Sequence, residues 1–427
     1  MVPVSSVEWW RRVAQPSVGV ERARPARSMD YPVAFWALMT FFFILLLAPQ
    51  AFFPALVPFR IALLAAAVAA GAYVLSRAAS GRPIIVLTRE MKIAGCLFGW
   101  AILTIPFAYH PGGSVATLTD LFLKSLLLFW LIANIVSTVS RLRQFAWALS
   151  LMSVPLAATG LTNYMSGNFL RGRLAGYEAP LTGNPNDLAL TLNLVLPFAL
   201  ALIRVSRSSG ARAVLLGIIA LDVVAVIVTF SRAGFLTLCV ILGIIIVRLL
   251  RTPRRAWGVA LLGALLLCLP LLPASYWARL ATVTDIESDL TGSSQLRWAG
   301  MLGALRFIAT HPIVGAGPGG EVLVLNEEIG PTWGYIHNVY LEYAVDLGLP
   351  GLALFLLLFA ACLRAVQDTS NKARPLPKAQ SLRHLADATR LGLIAFGVAA
   401  FFHPVAYHFY FYFLAGMAVA ARTAATR

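Results

Sequence analysis

Residues 213–247 read AVLLGIIALDVVAVIVTFSRAGFLTLCVILGIIIV. Two apolar runs meet at Ser231-Arg232 with no loop between them, and Asp222 is the only other charge in the stretch. Runs of this length match the hydrocarbon thickness of a bilayer better than the core of a soluble domain. They set one span at 211–230 and the next at 233–250. Reading outward gives ten further runs bounded by charge or by Pro/Gly clusters: 32–53, 55–76, 91–109, 117–139, 144–165, 186–204, 256–275, 339–366, 389–403 and 404–422.

Composition points the same way. Of 427 residues, 59% are hydrophobic and 12% are charged, half the charge of an ordinary soluble chain at about 25%. So little charge cannot cover a water-facing surface of this size, which excludes a soluble enzyme on one anchor, a secreted domain and a nucleic-acid-binding module. The expected fold class is an all-α polytopic membrane protein of about twelve transmembrane helices, with 1–427 as a single membrane domain. Cys96, Cys239, Cys268 and Cys362 all lie in apolar stretches, so neither a disulfide framework nor a zinc site is read from them.

The basic residues then set the sidedness. With 1–30 as a cytoplasmic segment carrying five arginines, 26 of the 34 Lys and Arg fall on the cytoplasmic side, alternating loop by loop. Both termini are expected in the cytoplasm, and the net charge of +16 is a topology signal facing anionic lipid. The first apolar run is too long for a cleaved signal and is expected to remain as a span.

Two outer segments are large enough to carry chemistry, a short loop at 166–185 and a large one at 276–338. Eight basic residues stay outside against the topology rule: Arg60, Lys124, Arg171, Arg173, Arg232, Arg279, Arg297 and Arg306. Each needs a partner or a task. Arg232 is the sharpest case, since it stands between two spans; snorkelling to the headgroups, or pairing with Asp187 or Glu178, is its structural alternative. In the large loop, SSQLRWAGMLGALRFIAT (293–310) predicts an amphipathic helix with Trp298, Met301, Leu302, Leu305 and Ile308 on one face. Such a helix could equally rest on the membrane surface.

HPIVGAGPGG (311–320) follows, with glycines that allow tight turns, end a helix or offer backbone N–H groups to a phosphate. It is not a nucleotide P-loop. Then YIHNVYLEYAVDLGLPG (335–351) opens a helix at His337 or Asn338 that enters the membrane past Pro350. An imidazole at a helix N-terminus is biased towards its neutral form and suits a general base. A lone histidine is more often packed than catalytic, so His337 needs support from elsewhere; His110, His403 and His408 rank no higher, and His384 lies on the opposite side.

That support comes from order. GNPNDLAL (183–190), TFSRAGF (229–235), SSQLRW with HPIVGAGPG (293–319) and HNVYLEYAVDLGLPG (337–351) together resemble the O-antigen ligase and polymerase superfamily of bacterial inner-membrane glycosyltransferases. The resemblance implies the fold of C-type membrane glycosyltransferases, with a helical periplasmic cap. It implies a periplasmic-face, inverting transfer of O-antigen glycan from undecaprenyl diphosphate to lipid A–core oligosaccharide, without metal or nucleotide. By motif matching it makes His337 the general base, and Arg232 and Arg297 the diphosphate-binding arginines. Arg171, Arg173, Arg306, Asn338, Tyr340, Gly317 and Gly319 are expected around the substrate. A polymerase, which takes a lipid-linked repeat unit as acceptor, is the alternative within the family. One large outer loop, with an Arg-x10-Gly spacing only at Arg306–Gly317, favours the ligase. A transporter is a third reading, but charged residues deep in the spans are few, with Asp222 the main one.

Overall fold

The computed structural model describes residues 31–426, apart from 171–172, 175, 178, 180–181, 254, 272–276, 278–292 and 332–333. The helices, in chain order, are α1 (Pro32–Leu47), α2 (Ile61–Ala79), α3 (Arg89–Thr104), α4 (Pro111–Ile135), α5 (Val139–Met165), α6 (Pro185–Val205), α7 (Ser209–Val228) and α8 (Arg232–Leu250). They continue with α9 (Arg255–Cys268), the loop helices α10 (Ser293–Thr310) and α11 (Glu321–Ile329), α12 (Val339–Ala373), α13 (Gln380–Ala399) and α14 (Phe409–Ala425). Among the described residues, eight helices are long and apolar enough to cross a membrane, and α1, α9 and α14 are shorter apolar ones. The protein is an all-α polytopic membrane protein. The only sheet among the described residues is a two-residue hairpin, Phe169–Leu170 with Arg173–Leu174.

Burial explains the layering. A helix that is apolar all round belongs inside, and α14 is buried at every residue from Phe409 to Ala421, against α4, α12 and α13. The other central helix, α6, packs on α5, α7, α8 and α13. At the edge, α2 and α9 leave Leu63, Leu75, Trp257 and Leu267 exposed, as lipid-facing helices do. Away from the site, Arg422 of α14 reaches both oxygens of buried Glu90 on α3, at 2.7 and 2.6 Å, which satisfies a carboxylate that burial alone would forbid.

Two departures from the expected spans matter for the site. The runs at 389–403 and 404–422 were expected to share a tight turn; instead α13 ends at Ala399 and α14 starts at Phe409, leaving a non-helical segment between them. Pro404 has no N–H and disfavours the helical region for the residue before it. The segment also finds partners elsewhere: the Ala400 carbonyl accepts from Val339 N–H at 2.8 Å, and Ala406 N–H donates to Glu342 Oε2 at 3.0 Å.

The second departure is a break within α12 at Gly348, whose φ of 68° leaves the helix. Carbonyls freed at a break must be satisfied elsewhere. Ala316 N–H takes Val345 O at 2.8 Å, Gly317 N–H takes Asp346 O at 2.8 Å, and the Trp100 indole takes Leu347 O at 2.8 Å. The glycine-rich stretch therefore docks on the broken helix. For the span expected at 256–275, the helix ends at Cys268 and a turn runs to Leu271; residues 272–275 lie outside the described residues.

Candidate functional site

Several helices open at one end of the bundle. Asn184 caps α6, its Oδ1 accepting from Asn186 and Asp187 N–H at 2.9 and 3.0 Å, and its amide also meets the Asp187 carboxylate. Ser231 caps α8 by accepting from Gly234 N–H at 3.1 Å. Asn338, not His337, caps α12, accepting from Tyr340 and Leu341 N–H at 3.0 and 3.1 Å. Such ends carry partial positive charge and favour anions.

Side-chain contacts tie these ends together. The Ser231 hydroxyl donates to Asn186 Oδ1 at 2.8 Å, joining α8 to α6. The next residue, Arg232, is half-buried and donates from its guanidinium to Ser294 Oγ at 2.8 Å, joining α8 to α10. The turn that delivers it is strained. Phe230 has φ of 53°, left-handed backbone that a bulky residue adopts at a cost of about 1–3 kcal/mol.

Arg297, half-buried, lies one turn along α10 from Ser294. Its charge is felt at His403, a buried residue of the 400–408 segment. His403 Nδ1 lies 2.9 Å from Ala399 O and its Nε2 lies 3.3 Å from Asn186 O. Burial pushes this imidazole below its ordinary pKa, against the pull of the Ala399 carbonyl and the Asp187 carboxylate, while Arg297 pushes further down.

His337 sits two residues before Val339, whose N–H is bonded to Ala400, so it borders the same segment. It is half-buried, and its Nδ1 lies 2.8 Å from Tyr335 O. A carbonyl only accepts, so Nδ1 donates in this contact, and in the neutral tautomer Nε2 is the acceptor nitrogen. Three contacts, Val339 to Ala400, His403 to Asn186 and Asn186 to Ser231, run between the chain neighbours of His337 and of Arg232, while Arg297 reaches the same cluster through its charge at His403.

Other expected residues are placed differently. Arg306 is exposed, nine residues beyond Arg297 on α10, roughly 13 Å along the axis at 1.5 Å per residue. The Tyr340 hydroxyl donates to Gly397 O at 2.7 Å and its ring packs on Phe401. Arg171 and the Arg173 side chain lie outside the described residues, as do Glu178, Arg279 and the acidic residues at 285–289. On α10 the inward face is Ala304 with Phe307, whereas Trp298, Leu302 and Leu305 stay exposed.

The glycine stretch is the clearest correction. Gly317 and Gly319 do adopt φ of 87° and 75°, as glycines in tight turns should. Their N–H groups are already bonded within the protein, Gly317 to Asp346 O and Gly319 to Asp346 Oδ2 at 2.6 Å. Glu321 N–H adds a bond to Asp346 Oδ1 at 3.0 Å. The Gly319 and Glu321 amides thus meet a carboxylate of the protein itself, and the Gly317 amide a backbone carbonyl.

Asp346 belongs to a trio of buried carboxylates that hold the loops around the site. Glu321 Oε2 accepts from Ile336 N–H at 2.8 Å, one residue before His337. Glu342 accepts from Ala406, and Asp346 holds the glycine turn. Burial, with Glu342 and Asp346 close by, raises the Glu321 carboxyl well above its ordinary range. The sequence alone assigns no role to these three, nor to Asn186 or His403, and offers Asp187 only as a pairing partner for Arg232. Carboxylates spaced four apart in an otherwise apolar helix, as at 342 and 346, were the available signal, because buried charge always needs an explanation.

Residues 215–356 match the family model described as O-antigen ligase. The matched stretch, about a third of the chain, is similar to that family. Members of the family are O-antigen ligases and polymerases, glycosyltransferase-like enzymes acting on lipid-linked glycans. The O-antigen ligase match spans Arg232, Arg297 and His337 together, and it leaves Asn186, Asp187 and His403 outside its bounds. No curated protein matches the chain.

Proposed function

We propose that the protein is the O-antigen ligase itself, working at the periplasmic face of the inner membrane with both termini cytoplasmic. It transfers glycan from undecaprenyl diphosphate to a hydroxyl of lipid A–core oligosaccharide. The observation that supports this reading is a contact network at neighbouring helix N-termini that runs from beside His337 to beside Arg232, with the charge of Arg297 felt at His403 within it. In the step proposed, the acceptor oxygen attacks the anomeric carbon as the bond from that carbon to the diphosphate oxygen breaks. His337 Nε2 takes the hydroxyl proton, and the diphosphate leaves with the bonding pair. Arg232 and Arg297, already oriented by their helices, stabilise the negative charge that builds on the leaving group. Attack opposite the leaving group inverts the anomeric configuration.

The test is transfer by purified full-length protein supplied with a lipid-linked glycan and lipid A–core. His337→Ala is expected to lower the rate by about 10²–10⁴-fold, the usual worth of a positioned acid–base group, with an unchanged unfolding temperature. Undiminished transfer by that variant removes the base. Chain growth on lipid-linked repeat units without lipid A–core would instead identify the polymerase.

A further inference from the structure

Two of the outer basic residues take no part in this site. Arg60 opens α2, and among the described residues its guanidinium has no carboxylate partner; Lys124 pairs only with Asp120, at 3.0 Å on an exposed turn of α4. Both stand on the rim of a cleft of about 460 Å³ between α1, α2 and α4. Its walls are aliphatic, including Leu45, Val57 and Leu128, and His408 with Phe409 closes one side. His408 ends the 400–408 segment and Phe409 opens α14, so the cleft borders the end of the loop that carries His403.

Surroundings and rim together define an occupant. Phe52, Phe53 and Phe59, in the turns leading to α2, are exposed, which suits hydrocarbon and not water. The volume falls in the range of small-ligand sites, about 300–1,000 Å³. Lipid tails are as apolar as leucine, so the walls cannot select one lipid over another; the rim must. Arg60 and Lys124 against Asp120 leave one net positive charge, the complement of a single phosphodiester. Gln50 also lines the cleft, although its Oε1 is buried away from the opening.

We infer that this cleft is a binding site for one phosphatidylglycerol molecule: an acyl chain fills the slot and the single phosphodiester rests on Arg60 and Lys124. The inference is independent of the glycosyl-transfer reading, since none of its residues belongs to that site.

The experiment uses the full-length protein in nanodiscs of phosphatidylcholine with a minority of phosphatidylglycerol, followed by delipidating washes and mass spectrometry of the retained lipid. Wild type is expected to retain phosphatidylglycerol enriched at least about fivefold over the bulk ratio, of the order that one added phosphate-facing cation provides. Arg60→Gln with Lys124→Gln should abolish the enrichment, and Lys124→Arg should keep it. Ala62→Phe, which fills the slot without touching the headgroup cations, should also lose the lipid. Retained lipid at the bulk ratio, enrichment unchanged in the rim variant, or enrichment of a polyprenyl phosphate in its place would each overturn the assignment. Because the rim residues are surface-exposed, their variants remain informative even if Ala62→Phe does not fold.

Discussion

Two turns at the same end of the bundle, Thr229–Arg232 and Gly315–Gly320, both look in sequence like places for an anion. One has an arginine between two spans, and the other has glycines whose amides could face a phosphate. In the folded protein they part company. The glycine turn has closed on Asp346, its amides satisfied by a carboxylate of the chain. The arginine turn puts its guanidinium on a serine hydroxyl, and the helix ends around it carry positive potential. The second turn is scaffold, and under the proposed reading the first is where the lipid diphosphate binds.

That contrast can be broken by substitution. The largest expected effects lie in the arginine site: Arg232→Ala and Arg297→Ala should each lower glycan transfer by about 10²–10³-fold, as removal of a preorganised charge stabiliser does. Lysine replacements should recover part of it, because charge remains while the two-pronged geometry is lost. Thermal unfolding of these variants should match wild type; a large fall would reassign the arginines to structure.

Changes in the scaffold turn should read the other way. Asp346→Ala strands the Gly319 and Glu321 amides, and each buried group left unpaired costs about 1–3 kcal/mol. The expected outcome is a lower unfolding temperature, with activity falling only in proportion to folded protein. Retained stability with selective loss of transfer would mean that the turn faces substrate after all.

A smaller effect is expected in pH dependence. Folding raises the pKa of Glu321, so the folded state holds a proton that the unfolded state releases. Stability from this group is fully present below the unfolded value of about 4.3 and declines as pH rises towards the raised folded value. Glu321→Gln, neutral throughout, should flatten that part of the stability-against-pH curve. An unaltered slope would place the titration elsewhere. Smallest of all, Arg306→Ala should change transfer by no more than the roughly 0.5 kcal/mol typical of exposed positions, despite the role expected for it from sequence; a loss matching Arg297→Ala would show that the site extends along α10.

The spans were legible because a bilayer imposes one length on every apolar run, whatever the tertiary contacts. Helix α8 begins at Arg232, and α10 runs from Ser293 to Thr310 as its pattern indicates. The break between α13 and α14 was not legible. A continuous apolar run hides a loop whose backbone is satisfied by α12, some sixty residues away in the chain. His403 and Asn186 stayed hidden for the same reason: their contact joins residues 217 apart, and neither local stretch announces the other. Asp346 was passed over because the glycines beside it looked like a ligand site, when the ligand was a side chain of the same protein.

The central claim is that a lipid diphosphate is gripped by Arg232 and Arg297 beside His337. An experimental structure of the full chain with undecaprenyl diphosphate bound tests it most directly. The expected result is the diphosphate between the two guanidinium groups, with His337 Nε2 facing the position of the anomeric carbon. A diphosphate seated at Gly315–Gly320, or anywhere out of reach of both arginines, would contradict it.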